Sequence, residues 1–192
     1  MRQIIVFVCG FIAIASQALA DIETGLVQYE QGNFEGAIKT FTPLAQDGDV
    51  RAQFLLGTVM LSIATDKPGA EEAVNWLTRA AEQGHVEAQM ELARIYRYGD
   101  GVSVNEAEMV KWYRRAAEQG DVGAQLLVAD AYAYGQGVEP DYVQAYMWYE
   151  IAVRYWGDLA VQARDVLAGK MSSEQIEQAV RLAHDTQVPA AQ

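Results

Sequence analysis

The chain has 192 residues, with 14 basic and 26 acidic side chains and a formal net charge of −12. That balance argues against nucleic acid as a partner, whose phosphates demand a basic surface, and disfavours an anionic lipid surface. Cys9 is the one cysteine, so no disulfide can form within the chain.

The first 20 residues read as a separate segment. Met1-Arg2 is a positive start, Ile4 to Ala15 is almost wholly apolar, and Ala18-Leu19-Ala20 is a small-x-small site followed by Asp21. This pattern predicts a secretory leader cleaved after Ala20, its apolar run being shorter than the ~20 residues of a spanning helix. Cleavage would remove Arg2 and Cys9, taking the charge from −12 to −13 and leaving packing alone to stabilise Asp21 to Gln192. The expected location is the periplasm or the exterior.

Residues 21–47 read as an N-terminal half-repeat of tetratricopeptide-like length. Leu26-Val27-x-Tyr29 closes a first helix, Gly32-Asn33 ends it and caps the next, and a second helix runs from Phe34 to Gln46. Pro43 within it should kink that helix or make it start again. From there a phrase recurs: Gly48-Asp-Val-Arg-Ala-Gln53, Gly84-His-Val-Glu-Ala-Gln89 and Gly120-Asp-Val-Gly-Ala-Gln125, each step 36 residues. Trp76, Trp112 and Trp148 keep the same step, and a period of this length is the signature of a solenoid.

The first repeat spans 48–83, with a helix over Val50 to Ile63, a loop through Asp66-Lys67-Pro68-Gly69 and a second helix from Ala70 to Gln83. In the second, 84–119, Ala88, Leu92, Ile95 and Tyr96 share one arc of helix A. Gly99 and Gly101 end that helix, Asn105-x-x-Glu108 resembles a capping box, and Met109, Trp112, Ala116 and Ala117 face inward from helix B. The third, 120–157, copies this with Ala124, Val128, Ala131 and Tyr132, the pair Gly135 and Gly137, and Asp141-x-x-Gln144 before Ala145, Trp148 and Ala152. Residues 158–192 are expected to be C-terminal capping helices and a frayed tail: one helix to Ala168, a break at Gly169-Lys170, and a second, Ser173 to His184, opened by Ser172-x-x-Gln175.

The phrase Ala-x-x-x-Leu-(Gly/Ala)-x-x-Tyr-x-x-Gly-x-Gly-Val, followed by Ala-x-x-Trp-Tyr-x-x-Ala-Ala-x-x-Gly, resembles the Sel1-like repeat, a tetratricopeptide-type αα repeat. Ala88, Leu92, Ala93, Tyr96, Gly99, Gly101, Val102, Trp112, Tyr113, Ala116, Ala117 and Gly120 carry it in the second copy, with Met109 where the pattern has alanine. The first copy departs most, with Met60 for tyrosine and no Gly-x-Gly. The resemblance implies an all-α, right-handed αα superhelix and an adaptor or scaffold role in protein complexes. A cysteine-rich branch is linked to β-lactam binding, but this chain lacks the paired cysteines of that branch.

No catalytic constellation stands out. His85 and His184 are far apart with no acidic pair at ligand spacing, so neither metal nor cofactor is expected, and His85 reads as an exposed helix-start residue. The Gly-x-Gly-Val phrases read as helix caps and the regularly spaced aromatic residues as core.

In a helix-pair solenoid, helix A lines the concave side. The candidate protein-binding residues there are Glu87, Met90, Glu91, Arg94, Arg97 and Tyr98 in the second copy and Gly123, Leu126, Leu127, Asp130 and Tyr134 in the third. Arg51, Phe54, Leu55, Thr58 and Leu61 occupy that side of the first copy, where the alternative is packing on the half-repeat. The expected function is a non-enzymatic periplasmic adaptor or regulator holding a protein or peptide segment, from a periplasmic or membrane-associated partner, on this face. The alternative is an enzyme or small-molecule binder acting on cell-wall or β-lactam-type ligands.

Overall fold

Short polar side chains set where the helices begin. Asn33 accepts from the Gly36 N–H (3.0 Å), Asp49 from Ala52 (2.7 Å), Asp66 from Gly69 (2.9 Å), Asn105 from Glu108 (3.1 Å) and Asp121 from Ala124 (2.7 Å), each satisfying an otherwise orphaned first-turn donor. The computed structural model describes residues 18–189, and apart from its last three residues the expected leader lies outside them. The described residues are all-α, and consecutive helices pack in pairs as an αα repeat requires. Among them no helix is long and apolar enough to cross a membrane.

The chain divides into two compact units, Met1–His85 and Val86–Gln192. The first contains α1 over 18–30, α2 (Phe34–Gln46), α3 (Val50–Ile63) and α4 (Lys67–Glu82). Ala37, Phe41 and Ala45 of α2 and Ala52, Leu56 and Val59 of α3 form its core, onto which Leu26 and Tyr29 pack from α1 and Trp76 from α4. Gly57 allows α3 to lie directly on α4, since a Cβ there would meet Leu77 Cγ at 2.7 Å and the Ala73 carbonyl at 2.9 Å.

Two expectations change here. Pro43 does not make the helix start again: α2 runs unbroken to Gln46. It sits in the last turn on the exposed side, where only its own missing N–H is lost, and its carbonyl still accepts from Asp47 (3.0 Å). The helix expected from Ala70 starts three residues earlier, at Lys67, because Asp66 caps it and Pro68 suits the first turn.

The second unit contains α5 (Val86–Tyr98), α6 (Glu106–Glu118), α7 (Val122–Tyr134), α8 (Tyr142–Trp156), α9 (Asp158–Ala168) and α10 (Ser173–Asp185). Its repeated core is as the pattern requires: Ala88, Leu92, Ile95, Met109, Trp112, Ala124, Val128, Ala145 and Trp148 are buried. Burial stabilises each large aliphatic residue by about 1.5–3 kcal/mol. Ser172 and Gln175, expected to open the last helix, form both halves of a capping box, at 3.2 and 2.9 Å. At Asn105 the Glu108 carboxylate turns instead to Lys111 (2.9 Å). The last two helices each lie against α8 more than against one another, so they cap it from two sides and do not pair as a hairpin.

The glutamine of the repeated phrase ties helix ends together. Gln53 donates to the Ala45 carbonyl (3.0 Å) and accepts from Gln83 (2.7 Å), and Gln89 accepts from Gln119 (2.8 Å) in the same register. In the third copy Gln125 donates to Ala117 (3.3 Å), but its Oε1 is buried without a partner among the described residues. Position 155, where the register calls for glutamine, carries tyrosine.

Candidate functional site

The helix-A faces of the second unit are the place to look for a site, since what the core does not claim from α5 and α7 must face outward. On α5, Glu87 and Tyr98 are exposed, and Met90, Glu91 and Arg94 are partly so. Arg94 is held by its own carboxylates: it donates to Glu91 at 2.7 and 3.1 Å and forms a short ion pair with Asp100. The Glu91 hydrogen bond, with Asp100 adding to it, raises the guanidinium above its usual value. The Glu91–Arg94 pair of the expected binding face is therefore internally closed, and Asp100 is the member the helical pattern could not supply, because it follows the helix in a turn.

On α7, Tyr134 is 69% exposed and matches Tyr98 (63%) one repeat earlier, while Leu127 and Asp130 are partly buried. Asp130 accepts a short hydrogen bond from the Tyr149 hydroxyl of α8. Burial first, and then that bond, hold the Tyr149 phenol well above the ordinary tyrosine range. Tyr113, at the equivalent place on α6, is also raised by burial, with the nearby Arg97 partly offsetting it.

Asp130, Tyr134 and Tyr149 border a groove of about 270 Å³, whose other wall is α9. Leu159 and Val166 of α9, 58% and 68% exposed and seven residues apart, supply its apolar edge, and Lys170 its rim. The groove thus combines two open apolar side chains, two tyrosines and a carboxylate fixed in place by a hydroxyl. That arrangement suits the anchoring of an apolar side chain beside a polar group. Sequence reasoning missed Tyr149, Leu159, Val166 and Lys170 because it assigned α9 to capping; the 36-residue register from Tyr113 to Tyr149 was a usable signal.

In the first unit Leu55 packs on the α2–α3 core, and Phe54 stacks on His85 with centroids 4.6 Å apart. His85 is thus partly buried against a ring, not an exposed helix-start residue, because the helix-A face of α3 leaves an aromatic surface at its reach. Among the described residues no group of three His, Cys, Asp or Glu is placed to hold a metal ion.

Comparison with known proteins gives a consistent picture. The family described as Sel1 repeat matches at residues 50–85, 86–121 and 122–154, more than half of the chain. The crystal structure of c5321, described as a protective antigen present in uropathogenic Escherichia coli strains displaying an SLR fold, is similar over 91% of this chain, with 31% identity and a TM-score of 0.71. This chain spans 38% of that protein. A Sel1 repeat protein from Oxalobacter formigenes is similar over 65% of this chain and 94% of its own length, with 36% identity and a TM-score of 0.56. Among curated proteins none matches. With three matched repeats and two structural relatives above 30% identity, the chain belongs to the Sel1 repeat family.

Proposed function

We propose that the chain is a non-enzymatic adaptor or regulator of the bacterial periplasm, which holds a segment of a partner protein on its concave helix-A face. Sel1 repeat proteins generally mediate protein–protein interaction. The observation that carries the finer reading is the α7–α9 groove, where Tyr134, Leu159 and Val166 stay open to solvent beside the fixed Asp130–Tyr149 pair. A surface of open aromatic and aliphatic residues around a positioned polar group is what an anchoring side chain of a partner needs. The leader pattern of residues 1–20 supports the periplasmic part.

The test is cross-linking of the tagged chain in the cells that make it, followed by mass spectrometry, alongside the Tyr134→Ser/Val166→Ser variant. Both side chains are well exposed, so the fold should survive the change. The reading expects an exported chain beginning at Asp21 and a specific partner that the variant loses. A partner retained at full yield by the folded variant, or a chain kept in the cytoplasm with its leader intact, contradicts it.

A further inference from the structure

A second groove lies away from the helix-A face, between α6 and the loop joining α7 to α8, with a volume of about 440 Å³. Val110 and Val138 give it an apolar lining, and Lys111, Arg114 and Arg115 bring three cations to it from one turn of α6. The loop can approach this closely because residue 137 is glycine. A Cβ there would stand 2.2 Å from the Glu106 carbonyl oxygen, and its φ of +69° is one that other residues avoid.

The three cations differ in how they are held. Lys111 is paired with Glu108 at 2.9 Å. Arg114 donates to the Tyr132 hydroxyl and lies over that ring at 5.5 Å, while Arg115 lies over the Trp112 indole at 4.7 Å. Neither arginine meets a carboxylate among the described residues, although Glu118 borders the same groove. In a chain with 26 acidic residues against 14 basic ones, that is an uneconomical placement unless the charge is wanted. An aromatic ring fixes a guanidinium without neutralising it, and the planar fork keeps donors for a carboxylate. The result is two positioned, uncompensated forks beside an apolar lining.

We propose that this groove is a second docking site, for an acidic segment of a partner protein that also carries apolar side chains. Its carboxylates pair with Arg114 and Arg115, and its apolar side chains rest on Ala107 and Val138, above the buried Val110. The net charge of −12 repels extended polyanions at long range, which favours a short acidic segment over an anionic membrane or a nucleic acid. The proposal rests on the reading of the chain as a protein-binding scaffold but not on the helix-A face.

The experiment is fluorescence anisotropy of the full chain with a fluorescein-labelled peptide of alternating glutamate and leucine, with its glutamine counterpart as control. Inorganic phosphate and phosphatidylglycerol vesicles are added as competitors. Saturable binding of the glutamate peptide is expected, falling about tenfold or more in Arg114→Gln/Arg115→Gln. Val138→Glu, which leaves both arginines in place, should weaken it as well. Arg79→Gln removes the arginine stacked at 4.4 Å on Trp76 and should change nothing. Equal binding of the glutamine peptide, indifference to both groove variants, or binding of vesicles or phosphate in place of the peptide would each overturn the proposal. Because the titration needs no residue of the α7–α9 groove, it can fail while the helix-A reading stands, and the reverse.

Discussion

At one place on helix A the second repeat carries Arg94, and the third, 36 residues on, carries Asp130. Arg94 is closed by Glu91 and Asp100 from its own repeat, whereas Asp130 is reached by Tyr149 from the neighbouring helix and borders an open groove. Beneath these differences the two repeats bury the same positions: Ala88 and Ala124, Leu92 and Val128, Trp112 and Trp148. The periodic residues therefore build the scaffold, and what distinguishes one surface from the next lies in the residues that break the period.

The largest effect should come from the scaffold. Trp112→Ala, at a side chain 3% exposed, should cost about 3–5 kcal/mol in urea unfolding. Trp76→Ala, at the equivalent but only partly buried position of the first unit, should cost about 1–3 kcal/mol. Equal losses would mean that the two units use their tryptophans alike and would remove one contrast between them. Gly137→Ala should follow at about 2–4 kcal/mol, since it combines a left-handed backbone with a backbone clash at Glu106. An alanine accepted there at no cost would show that the loop does not lie against α6 as described.

The glutamine ties sharpen the comparison further. Gln119→Ala removes the hydrogen bond that the buried Gln89 side chain accepts and should cost about 0.5–1.5 kcal/mol. Gln125, whose Oε1 already lacks a partner among the described residues, should tolerate replacement by leucine better than Gln89 does. If the two leucine variants lose stability equally, the third tie is as complete as the second.

Alkaline pH separates the repeats by titration. Below about pH 10 Tyr149 is neutral in folded and unfolded chains alike. As pH rises beyond that, the unfolded phenol ionises first while the native one, raised by burial and by Asp130, does not, so stability falls. Tyr149→Phe should flatten part of that decline in denaturation midpoints measured on either side of pH 10, with Tyr113 and Tyr146, both raised by burial, accounting for the remainder. A decline unchanged by the substitution would contradict this assignment. The smallest effect belongs to Asp100→Asn, which opens one arm of a partly exposed ion pair and should cost less than about 1 kcal/mol.

The sequence carried most of the scaffold, because core positions recur with the helix and with the repeat. Phe34–Gln46 and Val50–Ile63 fall where the helices were expected, to within the approximate bounds the pattern gives. Lys67-Pro68-Gly69 read as loop because proline and glycine usually punctuate, yet a capping aspartate turned them into a first turn. The candidate site was legible only in part. Tyr134 and Asp130 could be placed on a helix face by periodicity, but closure of Arg94 by Asp100 and completion of a groove by α9 depend on contacts outside any single helix's period.

The most direct test of the central claim is site-specific photo-cross-linking, with a benzophenone side chain introduced at position 134 in the groove and, for comparison, at the exposed position 104 in the loop after α5. The account predicts a discrete adduct with a partner protein from position 134, lost when Asp130 is replaced by lysine, and none from position 104. Equal yields at both positions, or an adduct indifferent to Asp130→Lys, would contradict it.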